Sequence, residues 1–462
     1  MSGTMARIAV IGGGFCGAFC AAQLAAAAGP VEISVIEPRA TLGGGVAYSA
    51  TDPAHRINVP AARMILFPEN PGDFADWVRR NGVLEADPAA LWADGHAYPR
   101  RDVFGRYVAE MVAAQPNITH VRDSAVAAAR QGGGWLVRLA GGGSVAADII
   151  VLAVSHPPPQ PPALIAALAP GPDIVANPWA PGVLERIGLE EDVVIIGTGL
   201  TMADVVASLT RRRHRGRITA FSRRGQLSRG HAFVADPPAY FAGTAPPGTA
   251  LGLSRQIRAF VAQAAAAGLP WQVVLDDVRA NAKTLWQALD VIERRRLLRH
   301  LRTFWDSHRY RVAPQVAAAV AARRADGSLT VLAASLRGAE RREGRVELTV
   351  HPRMAPPERI VTLRADRVIV TTGPAHGGVV AGNLVLADLG RQAALRADPL
   401  GLGIAVDEES RVLGSDGSGD DSLYVAGPLA RERFGELMGM PQVAAQPRAV
   451  GQRIAARLLE VV

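Results

Sequence analysis

With 462 residues, 49% of them hydrophobic, the chain is too long for one ordinary core and apolar enough to fill two. Its formal net charge of +8 would suit nucleic acid or an anionic surface. However, Lys283 is the only lysine among 50 basic residues, acids are mixed in throughout, and no basic block interleaves with aromatics, so neither a nucleic-acid nor a membrane partner is expected. Two cysteines, Cys16 and Cys20, exclude a disulfide framework and a cysteine metal site, and no metal is expected.

The start, "MSGTMAR" and then "IAVIGGGFCGAFCAAQLAAAA", mimics a secretory signal. The apolar run continues as structure through "PVEISVIEPR" with no spacer, so a cytoplasmic protein is expected. No apolar run is long and unbroken enough to span a bilayer.

"RIAVIGGGFCGAFCAAQL" carries G-x-G-x-x-G, a pattern that glycine-rich chains produce by chance about once in two. Context gives it meaning. "RIAVI" is a β-branched run that predicts a buried parallel strand, and the segment after the turn has strong helix propensity. Gly12 then makes the tight turn, Gly14 lets a pyrophosphate approach the backbone, and Gly17 lets helix and strand pack closely. The strand "VEISVIE" ends at Glu37, where a carboxylate accepts from a ribose hydroxyl and repels a 2′-phosphate. Cys16 and Cys20, one helical turn apart, are expected to pack and not to do redox work.

A second junction follows at "DVVIIGTGLTMADVVASLTRRR", with Gly197 and Gly199 in the turn but Met202 in the third glycine position. The match is weaker, and the helix is expected to stand slightly farther from its strand. Beyond Gly197, at the distance that separates Glu37 from Gly12, come Ser222, Arg223 and Arg224. A hydroxyl and two guanidiniums suit the 2′-phosphate that distinguishes NADPH, unless they form a solvated charge run. His231, in "SRGHAF", follows this loop and is a candidate for a phosphate or nicotinamide contact.

"ADIIVLAVSHP" and "ADRVIVTTGPAH" resemble each other, and each reads as a strand returning to its own sheet. The organisation is then interleaved. A first segment covers 1–163, an inserted unit covers 164–355 with a mostly helical stretch at 225–320, and the first unit resumes over 356–462.

The chain resembles the flavoprotein oxidoreductases with two dinucleotide-binding domains, which include class B flavin monooxygenases. Within them, "LGGGVAYSATDPAHRINVPAARM", "GTGLTMADV", "SRRG", "RTFWDSHRYRVAP" and "LYVAGPLARERFGE" are similar to the FAD-NAD(P)-binding family. The resemblance implies an α/β fold of two Rossmann-like domains, the NADPH domain inserted into the FAD domain, with FAD at the first site and NADPH at the second. Two departures stand out: Ser155 where glycine is common, and Pro428 where many relatives place an aspartate. Disulfide reductase chemistry would need a cysteine pair after the second strand, and "LGGGVAYSA" occupies that place. What remains is a monooxygenase acting on a small molecule with dioxygen through a flavin peroxide, or an NADPH:acceptor oxidoreductase serving a quinone, iron or a protein.

The resemblance also suggests site residues. Gly44 and Gly45 suit close approach of a flavin. Asn58 either bonds flavin or nicotinamide or is an ordinary loop residue, and Arg56 and Arg63 are weaker candidates. Trp305, His308 and Arg311 are placed on one side of a helix, where Arg309 and Arg311 would either clamp a substrate or make interdomain ion pairs. Gly427 belongs to the returning "YVAGP" turn. Backbone groups near Met440, after Glu436 and before the last helix, are expected to face the flavin pyrimidine.

Overall fold

The computed structural model describes residues 5–157, 159–373 and 378–460. Met1 to Thr4 of the signal-like start, Pro158, and the final residues 374–376 of "ADRVIVTTGPAH" lie outside the described residues.

Two sheets carry the chain. The first runs in the spatial order Arg411–Leu413, Gly419–Val425, Ile149–Leu152, Ala6–Ile11, Val31–Ile36 and Ile118–Val121, parallel throughout except at the Arg411–Leu413 edge. Short β-branched runs buried on both faces suit such a sheet. Ile8 pairs with Ile33 on one side and Ile149 on the other. The helices Phe15–Ala27 and Gln442–Glu460 cover one face, and Gly451 permits their contact, since a Cβ there would stand 2.9 Å from the Cys20 carbonyl oxygen. The three-stranded meander spanning Ala125–Gln131, Gly134–Leu139 and Ser144–Ala147 covers the other face with the helix Leu384–Arg391. The signal-like apolar run is thus spent on an inner strand and a helix whose Phe19, Cys20 and Leu24 are buried.

The second sheet, inserted in sequence between strands of the first, runs Val361–Ala365, Arg345–Pro352, Leu329–Arg342, Ile218–Ser222, Val193–Ile196, Arg367–Val370 and Ile174–Val175. The two similar strands hold matching positions: Ile149–Leu152 pairs with the first strand of its sheet, and Arg367–Val370 with Val193–Ile196. The second pairing corrects the boundary expected at 355, because this sheet continues to Val370. The β-rich stretch before it is a long antiparallel hairpin of the same sheet and marks no return.

Between Ser222 and Leu329 the chain supplies six helices, from Ala250–Ala266 to Pro314–Ala325, preceded by an irregular segment over 225–249. No helix among the described residues is long and apolar enough to cross a membrane, and none of their His, Cys, Asp and Glu side chains group to hold a metal.

Candidate functional site

The first glycine turn is held by sterics. Gly12 adopts φ +102° with its α-carbon against the returning strand, so that a Cβ would meet the Ala153 carbonyl oxygen at 2.6 Å. A Cβ on Gly17 would overlap the Gly12 carbonyl oxygen, which keeps the helix seated on the turn. Gly14 caps that helix and faces Gly45, whose own Cβ would stand 2.8 Å from the Gly14 α-carbon. Gly44 is nearly as confined, its Cβ position lying 3.3 Å from the Tyr48 carbonyl oxygen. Bare backbone therefore lines this end of the first strand, with helix N–H groups free to face an anion.

Glu37 lies where expected and is buried. Its Oε2 accepts the Gly13 N–H at 3.0 Å, while Oε1 accepts from Arg39 N at 3.1 Å and Arg39 Nη1 at 3.0 Å. Of its roughly four lone-pair directions about one remains for a ribose hydroxyl. Arg39, which orients the carboxylate, was not singled out from sequence, although its place two residues on was a usable signal.

At the second turn Gly197 has φ +120°, and a Cβ would stand 2.5 Å from Thr371 Oγ1. Gly199 is different, with nothing among the described residues within 4 Å of its Cβ position. A cavity opens beside it, lined among others by Thr198, Met202, Leu227, Ser228 and Arg324. Met202 in the third position is itself fully buried. The Ser222 hydroxyl lies 2.8 Å from Thr198 Oγ1 and accepts the Gly225 N–H at 3.0 Å, so it organises the turn. Arg224 lies over the Phe304 ring at 4.5 Å, and Arg223 is exposed. Among the described residues neither has an ion-pair partner, which leaves both available to a phosphate.

Asn58, His231 and Arg311, far apart in sequence, converge where the two units meet. His231 Nε2 bonds the Asn58 carbonyl oxygen at 2.6 Å, and its ring stacks on Phe233, which also receives the Arg63 guanidinium at 4.3 Å. Burial, reinforced by the Arg311 charge, holds the His231 imidazole down at about 4, so it is neutral near pH 7. A neutral ring that donates from Nε2 keeps its Nδ1 lone pair. Gln272 Nε2 donates to the Gly230 carbonyl oxygen at 3.3 Å, and Arg311 Nη1 lies 2.9 Å from Asp276 Oδ2. Around this junction Asn58 Oδ1, Tyr98 Oη, Gln272 Oε1 and Asp276 Oδ1 are buried without a hydrogen-bond partner among the described residues. Such a concentration marks a place where a ligand or ordered water belongs.

Other candidates are placed differently. Arg56 is buried and paired with Asp87, Nη2 to Oδ1 at 3.1 Å, so it braces the loop. The helix bearing Trp305 and His308 ends at Arg309, which corrects the shared helical face: Arg311 lies beyond it. Arg309 Nη2 pairs with Glu436 Oε1 at 2.7 Å, joining the helical insertion to the C-terminal segment. The Met440 carbonyl oxygen accepts from Arg279 Nη2 at 2.7 Å, a partner that sequence did not indicate. Gly427, at φ +108°, lies against Cys16, and its N–H donates to Gln446 Oε1 at 2.7 Å. Burial pushes both cysteine thiols up to about 12, so neither is a thiolate.

Residues 9–157 match the FAD-NAD(P)-binding family model. The matched stretch contains the first glycine turn, Glu37 and Asn58. Among solved structures the fold is similar to that of the ornithine N-hydroxylase of Kutzneria sp. 744, with reduced FAD, NADP+ and L-ornithine, at TM-score 0.65 and 16% identity over 99% of this chain and 100% of that one. It is similar also to L-lysine 6-monooxygenase of Pseudomonas syringae, at TM-score 0.64 and 17% identity over 99% and 100% of the two chains. The reduced form of ornithine hydroxylase from Pseudomonas aeruginosa gives TM-score 0.63 and 16% identity over 99% of each chain. No curated protein sequence matches the chain. At these identities the likeness shows the fold, two dinucleotide-type α/β units with one inserted in the other.

Proposed function

We propose that the protein is an FAD-dependent, NADPH-consuming monooxygenase acting on a small molecule. The observation that carries this reading is the contrast between two like turns: a buried carboxylate, Glu37, ends the second strand at one, and Arg223 and Arg224, without an ion-pair partner among the described residues, end it at the other. The first suits an adenine dinucleotide with a free ribose and the second suits a 2′-phosphate.

The residues present fit both cofactors. Gly12, Gly14 and Gly17, with Gly44 and Gly45 opposite, would hold the FAD pyrophosphate and flavin, while the open space at Gly199 would take the NADPH pyrophosphate at the helix N-terminus. Bound there, FAD supplies hydride acceptance from NADPH and activation of dioxygen. The protein's part is to bind, orient and exclude water. Asn58 and His231, from different units, would position the reacting end, with the His231 Nδ1 lone pair able to accept a hydrogen bond. Two protonated cysteines support a flavin that reacts with dioxygen over one that reduces a disulfide. A cytoplasmic location belongs to the same proposal, supported by burial of the apolar Ile8 to Leu24 run within the first unit.

An oxygen electrode run alongside NADPH absorbance tests the reading over a panel of small substrates. One dioxygen consumed per NADPH, with an oxygenated product, is expected. NADPH oxidation that proceeds only with a quinone, ferric iron or a protein acceptor would replace it with the acceptor oxidoreductase alternative.

A further inference from the structure

Three arginines come together where the helical insertion meets the C-terminal segment. Arg279, on the helix Gln272–Ala280, donates through Nη2 to the Met440 carbonyl oxygen at 2.7 Å and to Gln442 Oε1 at 3.2 Å, and its Nη1 lies 3.6 Å from Asp276 Oδ1. Arg309 pairs with Glu436 at 2.7 Å. Arg311 pairs with Asp276 at 2.9 Å, and its Nη2 donates to the Gln272 carbonyl oxygen at 3.4 Å. The side chains of Arg309 and Arg311 are each 4% exposed.

Three guanidiniums thus share two carboxylates, the buried Glu436 and the partly exposed Asp276. The Nε of each of the three is buried without a hydrogen-bond partner among the described residues. Burial, with repulsion from Arg309, lowers Arg279 to about 10. Guanidiniums that outnumber the carboxylates they pair with, and that keep unspent N–H donors, suit a further anionic group.

Place and chemistry decide which anion. The group is continuous with the interdomain junction, because Arg311 bonds Gln272, Gln272 bonds Gly230, and the next residue, His231, bonds Asn58. The dinucleotide phosphates have their own cavity at Gly199, lined by Arg324 and not by these arginines. Planar guanidinium forks match a carboxylate's two oxygens. We propose that Arg279, Arg309 and Arg311 form the anchor for a carboxylate on the small-molecule substrate, an inference that rests on the monooxygenase reading and names its substrate class.

Isothermal titration of the FAD-loaded protein tests it with succinate as probe, neutral succinamide as control, and saturating NADP+ in a second series. Saturable succinate binding is expected, without binding of succinamide and without competition by NADP+. Arg279→Met should weaken succinate at least about tenfold. Asp276→Asn removes a competing negative charge and should tighten it several-fold, a gain that a misfolded protein does not show. Absence of saturable succinate binding, equal binding of succinamide, displacement by NADP+, or weakening in Asp276→Asn would overturn the anchor. Dioxygen uptake on the same preparation separates the two readings. Succinate binding without uptake retains the anion site and removes the monooxygenase, and uptake without succinate binding does the reverse.

Discussion

Arg101 and Asp204 form an ion pair across the two units, Nη2 to Oδ2 at 2.7 Å, with both side chains buried. Arg101 begins the helix Arg101–Ala113 of the first unit, and Asp204 lies on the helix that follows the second glycine turn. Arg101 Nε also donates to the Arg56 carbonyl oxygen at 2.9 Å, and His55 Nε2 meets Ser208 Oγ at 2.9 Å beside it. These contacts fix the second nucleotide helix against the loop that carries Asn58.

Asp204→Ala leaves the Arg101 charge buried and unpaired, which costs about 3 to 5 kcal/mol. Denaturant unfolding should show that loss. The Arg101→Met, Asp204→Leu double variant should recover much of it, because two charges then leave the interior together. Equal stability of Asp204→Ala and wild type would show that the pair is solvated and does not latch the units.

Glycine substitutions separate fold from ligand. Gly17→Ala places a methyl group on the Gly12 carbonyl and should yield protein without FAD. Gly199→Ala meets nothing within 4 Å, and its backbone angles suit alanine, so that variant should keep FAD and its melting temperature. Its added methyl stands in the pyrophosphate position and should raise the NADPH dissociation constant. Unchanged NADPH affinity in Gly199→Ala would move the phosphates away from this turn.

Arg223→Ala with Arg224→Ala should cost NADPH about one to two decades in affinity per lost phosphate contact and leave NADH use nearly unchanged. The loss should appear mainly in KM, since a remote phosphate is held alike before and during hydride transfer. A double variant that still prefers NADPH over NADH returns the pair to surface charge.

His231 gives a pH dependence whose sign is set by its depressed value of about 4. The unfolded imidazole, near 6.5, binds the proton more readily than the folded one, so stability rises with pH across that window and is lost as pH falls from about 6.5 to 4. The contribution is of order 3 kcal/mol at most. His231→Gln should flatten this part of the curve, read as unfolding midpoint between pH 4 and 7. An identical slope in the variant would assign the dependence to other groups, His156 first, which burial also lowers to about 4.

What could be read from sequence was what local patterns encode. Gly12, Gly17 and Gly197 need their residue type because of backbone approach within one strand-turn-helix unit, and a linear motif records that. Glu37 and the Ser222-Arg223-Arg224 contrast follow from strand length. Partnerships between distant segments left no such trace. Asp204 sits on an apolar helix with nothing nearby to announce Arg101, and the bonds of Ser222 with Thr198 and Gly225 are not written in the motif. The strand Arg367–Val370 was recognised as a strand, but its sheet depends on a pairing with Val193–Ile196 that only three dimensions supply. Arg279, whose neighbours are Met440 and Gln442, had no motif at all.

The central claim, that this chain uses NADPH to reduce a flavin that then reacts with dioxygen to oxygenate a substrate, is tested most directly by stopped-flow absorbance. The FAD-loaded protein is first reduced with NADPH without oxygen and then mixed with oxygenated buffer. Rapid bleaching by NADPH, much slower bleaching by NADH, and on reoxidation a transient spectrum distinct from both oxidised and reduced flavin are expected. Flavin that NADPH fails to bleach, or that returns to the oxidised spectrum with no transient, would contradict the claim.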